Sequence, residues 1–411
     1  MPVHAGVGSE PVLPKTHQAL IPLVNVATAK GWQNGTQPIA AAGLEVNVFA
    51  NGLDHPRWLY VLPNGDVLVA ETNAQPSEAK GIKARIQKLV MKRAGAAAPS
   101  ADRISLLRDL DGDGVAELKT ALLSDLRSPF GMALVGEHLY IANTDGIVSV
   151  PYTSGATAIK AAPVTLASLP AGPINHHWTK GLIASRDGKH LYAAVGSNSD
   201  HGENGMNNEI NRAAILQIDI ATGATRLFAS GLRNPVGMAW EPTTGMLWTS
   251  VNERDELGGD LVPDYMTSVV DGGFYGWPYS YYGDNLDPRI DEQRLDLVAT
   301  ALTPDYALGP HTASLGLTFA AGNRLGADYA EGAFVGQHGS WNRKPRSGYK
   351  VIFVPFANGK PKGLPRDVLT GFLDAKGNAQ GRPVGVVIDN SGALLVADDV
   401  GNTVWRVTSK L

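Results

Sequence analysis

Six times along this chain a polar mouth leads into an apolar strand, a tight turn and a second apolar strand that ends in polar residues. The copies are "HPRWLYVLPNGDVLVAET" from His55, "SPFGMALVGEHLYIANTDG" from Ser128 and "HHWTKGLIASRDGKHLYAAVGSNSD" from His176. They continue with "NPVGMAWEPTTGMLWTSVNERD" from Asn234, "ASLGLTFAAGNRL…GAFVGQHGSWNR" from Ala313 and "RPVGVVIDNSGALLVADDVGN" from Arg382. Alignment on Trp58, Gly131, Gly181, Gly237, Gly316 and Gly385 spaces them roughly 50 to 80 residues apart, as a propeller blade with loop insertions requires. Further strands lie between the copies, including "AAILQIDIATGATRLFAS" and "YKVIFVPFANGKPKG". Four strands per repeat and six repeats predict an all-β fold, a six-bladed β-propeller with four-stranded antiparallel blades. Residues 43–411 form the propeller in this reading, and residues 1–42 an N-terminal extension that closes onto it or is partly irregular. The one helical candidate, "PSEAKGIKARIQKLVMKRAG", reads as an inserted loop or short helix.

Composition narrows the function classes. Net charge is −4, which leaves no electrostatic footprint for nucleic acid. The chain has no cysteine, so thiolate zinc sites, thiol nucleophiles and disulfides are excluded. No apolar run reaches the ~18 residues of a membrane span. The opening "MPVHAGVGSEPVLPK" lacks the basic start and apolar stretch of an export signal.

The strand ends carry the chemistry. In a propeller the innermost hairpins open on one face, so residues before the first strand and after the second meet around the axis. Before the strands stand Arg57, His177, Arg233, Asn234, His311 and Arg382. After them stand Glu71, Asn143, Asn198, the run Asn252 to Asp255, the run His338 to Lys344, and Asp398-Asp399. Several arginines and histidines on one rim repel one another unless an anion fills the space between them. An acidic cofactor or substrate is therefore expected there. A metal-dependent hydrolase of the lactonase type, with Glu71, Asn143, Asn198 and Asp398 holding the ion, is the alternative enzyme. A non-catalytic propeller that binds a partner on its rim is the third reading.

"HHWTKGLIASRDGKHLYAAVGS", "GLRNPVGMAW", "VNERDELGGDLVPDYMTSVVDGGFYGWP", "HGSWNRKPRSGYKVIFVP" and "GRPVGVVIDNSGALLVADD" follow one another in order, one per blade. Together they resemble the soluble pyrroloquinoline-quinone (PQQ) dehydrogenases of aldoses and sorbosone, from about residue 44 to the C-terminus. The resemblance implies a quinoprotein that oxidises a sugar or sugar aldehyde by hydride transfer from C1 to the quinone. It also implies PQQ and Ca2+ as cofactors, a quinone, cytochrome or dye as electron acceptor, and a periplasmic or secreted location. It makes His177 the general base, a role that suits an imidazole titrating near neutrality, with His176 as pocket wall. Arg233 would stabilise charge on the quinone oxygen, and Asn234 would donate to the same region. Glu253 and Arg254 fall where the family offers two backbone carbonyls to calcium; alternatively the Glu253 side chain ligates, or Arg254 reaches a PQQ carboxylate. Arg382 matches the first of two carboxylate-binding arginines, and the second position is Val384. Arg343, Lys344 and Arg346 are candidates to replace the missing charge, and Trp341 to stack on the quinone. Selectivity among sugars falls to loops such as "GSNSDHGENGMNNE" and "SYYGDNLDPRIDEQ".

A second calcium candidate is "DLDGDGVAE", with Asp109, Asp111 and Asp113 at positions 1, 3 and 5 of an EF-like loop. Position 12 is Thr120 where such a loop needs a bidentate glutamate, and the flanks read as strands, so a plain hairpin turn competes.

Overall fold

The computed structural model describes residues 3–18, 23–33, 35–76 and 90–410. They form a six-bladed β-propeller. Blade I takes Pro56–Val61, Val67–Glu71, Arg103–Arg108 and Leu118–Leu123. Blade II takes Met132–Val135, His138–Asn143, Gly146–Pro151 and Val164–Ser168. Blade III takes Lys180–Ala184, His190–Val195, Ala214–Asp219 and Thr225–Ser230. Blade IV takes Pro235–Trp240, Leu247–Val251, Pro263–Ser268 and Tyr306–Pro310. Blade V takes Ser314–Phe319, Gly332–Gln337, Lys350–Ala357 and Arg366–Thr370. Blade VI takes Pro383–Ile388, Leu394–Asp398 and Thr403–Ser409, and its outermost strand, Leu44–Ala50, comes from near the N-terminus. Leu44 pairs with Ser409 and Ala50 with Val404, so the two ends of the ring are joined by a β-ladder.

The second strand of each blade is sandwiched between neighbouring blades. That is why Val67–Glu71 and Leu394–Asp398 read as unbroken buried runs and not as alternating ones. The aligned glycines explain how the innermost strands meet. A Cβ at Gly131, Gly181, Gly237, Gly316 or Gly385 would lie closer than 3.0 Å to backbone atoms of the next blade's inner strand. The approach is close enough for a backbone hydrogen bond between blades, from Gly131 N to Lys180 O at 3.0 Å. In blade I the equivalent residue is Trp58, whose ring packs on Phe130 at 4.7 Å. Phe130, Val236, Leu315 and Val384, with Trp58 and Trp178 against them, plug the axis. These side chains come from the first turns of chain at the strand mouths, so the polar rim above them rests on an apolar floor.

Residues ahead of Leu44 run over the blades. Val7–Gly8 pairs with the outer strand of blade IV, and Ile39–Ala40 with that of blade V, which covers two exposed edges. Of the expected loop or short helix at 76–95, residues 77–89 lie outside the described residues and residues 90–93 are helical. No helix among the described residues is long and apolar enough to cross a membrane.

Candidate active site

A solvent-open cleft of about 380 Å³ lies on the rim face, lined among others by His176, His177, Arg233, Asp255, His311 and Trp341. His177 stands ahead of the first strand of blade III. Its Nδ1 lies 2.7 Å from the backbone carbonyl of Ser197. A carbonyl only accepts, so Nδ1 carries the proton and Nε2 keeps a free lone pair. Gly196 makes this nesting possible, because a Cβ there would strike both His177 and Asn234. Burial pushes the His177 imidazole well below its usual pKa, and the nearby charges of Arg233 and then His176 push the same way. The ring is therefore neutral at pH 7. From below, the fully buried Lys180 donates to the carbonyls of Trp178 (3.2 Å) and His177 (3.4 Å).

Arg233 is fastened on all sides. Nη2 pairs with Asp200 at 2.8 Å, while Nη1 donates to the carbonyls of Glu253 (2.8 Å) and Asn252 (3.2 Å). Asn234 beside it is buried, and its Oδ1 has no partner. His311 faces an acceptor at each nitrogen: Asp255 Oδ1 at 3.1 Å and the Gly258 carbonyl at 2.9 Å. Burial disfavours its charged form, but the Asp255 hydrogen bond and charge outweigh that and raise its pKa above the usual value.

A second group of arginines and histidines surrounds Asp399. Arg57 Nη1 lies 2.7 Å from Asp399 Oδ2, and His338 Nε2 lies 2.8 Å from the same oxygen. His55 Nε2 stands off at 3.5 Å. Arg382 joins them, with its guanidinium over the Tyr349 ring and Nη2 3.2 Å from the Tyr349 hydroxyl. Burial opposes ionisation of Asp399, yet His338, His55 and Arg57 hold its carboxyl far below the ordinary range. The contacts of all three fall on Oδ2, and Asp399 Oδ1 is buried without a partner. Nε of Arg57, Nε of Arg382 and Nε2 of His55 are buried without a hydrogen-bond partner, a costly condition in the absence of an anion.

Other expected residues sit elsewhere. Arg343 pairs with Asp260 at 2.7 Å and donates to the Gly259 and Pro345 carbonyls, so its charge is already neutralised. Arg346 holds the carbonyls of Asn25 and Val26, and Lys344 is exposed to solvent. The guanidinium that stands beside Asp399 with Arg382 is that of Arg57, from blade I. The sequence placed Arg57 on the rim, its only available signal, without assigning it a ligand. Val384 itself is wholly enclosed in the axial plug, where a charged side chain has no room. Trp341 does line the cleft and is 37% exposed.

The side-chain alternatives at Glu253 and Arg254 require correction. The Glu253 carboxylate accepts from Arg254 N and Nε, both at 3.0 Å. The Arg254 guanidinium ends on Asp287 and on the carbonyls of Pro278 and Ser280, with no exposed surface. Its side chain points into the protein and reaches no rim ligand. Both side chains are thus committed to the protein interior, which leaves the backbone carbonyls of Glu253 and Arg254 as the oxygen donors of this segment; the Glu253 carbonyl accepts one bond, from Arg233 Nη1 at 2.8 Å.

The hydrolase set fails for a similar reason. Glu71 accepts from Asp54 N, Arg103 and Ser105. Asn143 accepts from Arg127 N, Asn198 from His176 N, and Asp398 from Arg382 N. Each side chain ties the mouth of its own blade and none converges on an ion. Among the described residues the one group with metal-ligand spacing is Asp109, Asp111 and Asp113 with Glu117, within 4.8 Å of one another on the outer hairpin of blade I. Their carboxylates accept the turn's own N–H groups, from Gly112 and Gly114 to Asp109, from Val115 to Asp113 and from Leu110 to Glu117. The hairpin closes on those bonds, and the cluster lies far along the chain from the cleft residues.

The buried histidines give a pH dependence. Burial lowers the pKa of His55 and His177, and takes His338 down to about 4 despite its Asp399 partner. Below pH 6.5 the unfolded chain binds protons that these three folded imidazoles refuse, so stability falls as pH falls. The limit is about 1.4 kcal/mol per histidine per pH unit. His311, with its raised value, works in the opposite direction and offsets part of the loss. The melting temperature is expected to drop by several degrees between pH 7 and pH 5 in calorimetry; a flat profile would contradict these environments.

Residues 142–338 match the glucose/sorbosone dehydrogenase family model. Over that stretch, a little under half of its length, the chain is similar to the glucose/sorbosone dehydrogenases. Residues 294–410 also match a TrAA12-like model. An uncharacterized protein of Borreliella burgdorferi is 30% identical over 197 residues, which are 47% of this chain and 52% of that protein. A PQQ-dependent pyranose dehydrogenase of Coprinopsis cinerea is 46% identical over 57 residues, 14% of this chain and 7% of that enzyme. The chain thus spans about half, or less, of the curated relatives it matches. The PQQ domain of a Coprinopsis cinerea pyranose dehydrogenase, in its holo form, superposes with a TM-score of 0.73. That match covers 93% of this chain and 100% of that one, and at 22% identity it shows the shared fold. The stretch that matches the glucose/sorbosone dehydrogenase model includes His177 and Arg233. The TrAA12-like stretch holds Arg382 and Asp399, and Arg57 precedes both.

Proposed function

We propose that this chain is a PQQ-dependent dehydrogenase of aldoses or sugar aldehydes, sorbosone-like compounds included, acting outside the cytoplasm. The observation that carries the reading is the pair Arg57, half-buried, and Arg382, buried, each with an unpartnered buried Nε, beside a single carboxylate. A polycarboxylate fits that excess of positive charge.

Bound PQQ supplies the acceptor for the hydride that leaves C1 of the sugar. Arg57 and Arg382 hold its carboxylates from two blades. Arg233, pinned by Asp200, presents a fixed positive field to developing oxyanion charge. Asn234 lies beside that guanidinium with an open acceptor. His177 receives the hydroxyl proton at Nε2 while Ser197 keeps Nδ1 protonated and the ring oriented. His176 and Trp341 form walls of the cleft. The backbone carbonyls of Glu253 and Arg254 are the oxygen donors that would face a calcium ion beside the quinone.

The test is reconstitution. Purified protein incubated with PQQ is expected to reduce a dye only when an aldose or sugar aldehyde is also present. Lactone hydrolysis without PQQ, and no dye reduction with it, would favour the hydrolase and overturn the proposal.

A further inference from the structure

Arg382 is held by a device that begins outside the blade. Asp398, at the end of the second strand of blade VI, is fully enclosed and accepts four N–H groups. Oδ1 takes the backbone N–H of Arg382 at 2.7 Å and that of Gly401 at 2.8 Å. Oδ2 takes the indole of Trp405 at 3.1 Å and the indole of Trp32 at 2.6 Å. Four donors and no acceptor define an ionised carboxylate with every lone pair in use.

Trp32 lies ahead of the propeller's first strand, 366 residues from Asp398 in sequence. Its ring meets Trp405 and Phe372 edge-on at 5.4 and 5.6 Å. The fit is built for it. A Cβ at Gly401 would strike both the Trp32 indole and the Asp398 carboxylate, and a Cβ at Gly381 would strike the same carboxylate. The chain on either side of Trp32 is tied down as well. Lys30 N bonds to Ala379 O at 2.8 Å, and Asn25 N to Trp341 O at 2.6 Å.

We propose that Trp32 is a positioning residue for Arg382, acting through Asp398, so that the segment ahead of the propeller sets the affinity for the anionic cofactor. The inference rests on the PQQ reading for its ligand. Asp398 fixes the backbone of Arg382 and also of Asp399, its own neighbour in sequence. Arg382 then leaves the rim in one direction, along Tyr349, with Nε free. Loss of the Trp32 donor removes the shortest of the four bonds and lets the Arg382 mouth move.

The test is a calorimetric cycle on the full chain with PQQ as titrant. Trp32→Phe keeps the ring contacts and deletes the donor; it is expected to raise the Kd for PQQ about five- to tenfold, with kcat at saturating PQQ within twofold of wild type. In an Arg382→Ala background the same change is expected to have no further effect on Kd, which a role in general packing would not give. Trp32→His, which restores a ring N–H, is expected to recover part of the affinity and serves if the phenylalanine variant does not fold. Equal Kd values for wild type and Trp32→Phe, or independent multiplication of the two effects, would overturn the inference. Amide hydrogen exchange of the cofactor-free protein gives a reading separate from PQQ binding. The Arg382 N–H is expected to exchange faster in Trp32→Phe, and unchanged exchange would overturn the clasp even if the cofactor reading fails.

Discussion

Replacement of His177 by alanine is expected to lower kcat for sugar oxidation by about two to four orders of magnitude and to leave the Kd for PQQ within twofold of wild type. The structure separates these two readouts. His177 touches Ser197 and edges His176, while Arg57 and Arg382, with their unpartnered Nε atoms, come from blades I and VI. Because the imidazole pKa is depressed, the base is already deprotonated at neutral pH. The acid limb of the wild-type rate profile is therefore expected below pH 6.5, and the rate should not rise further above it through this group. Stopped-flow measurement of quinone reduction in preloaded protein checks both points. Undiminished reduction in His177→Ala would place the base elsewhere.

The second large effect belongs to the anion site. Arg382→Ala and Arg57→Ala are each expected to raise the Kd for PQQ by about ten- to a hundredfold, the range for loss of a charge-assisted bond to a carboxylate. Turnover at saturating PQQ should change less than affinity. Arg343→Ala is the control: its guanidinium is matched to Asp260, so its loss should leave PQQ affinity nearly unchanged. Fluorescence titration of the three variants distinguishes this assignment from the one the sequence suggested. A larger effect at Arg343 than at Arg57 would reverse it.

The fold was legible because a propeller repeats. Six copies of one hairpin, aligned on small residues, give blade number and strand order, and the glycines mark where inner strands touch. The mouth residues were legible for the same reason, since strand ends in such a ring share one face. Side-chain direction was not. Glu253 and Arg254 sit in the expected run, but Arg254 finds Asp287, 33 residues later, and turns inward. Arg343 and Lys344 lie in a loop whose partners, Asp260 among them, come from another blade. Arg57 carries no local motif; only the three-dimensional neighbourhood of Asp399 and Arg382 marks it. The support for His177 was hidden too, because it is a backbone carbonyl, which any residue at position 197 supplies. The reach of Trp32 to Asp398 is a long-range contact that no periodicity encodes.

A crystal structure of the protein soaked with PQQ tests the central claim most directly. The account predicts one PQQ on the rim face above the axial plug, its carboxylates on Arg57 and Arg382 and its quinone edge toward Arg233 and His177. Density for PQQ elsewhere on the surface, or a rim left vacant at saturating PQQ, would contradict it.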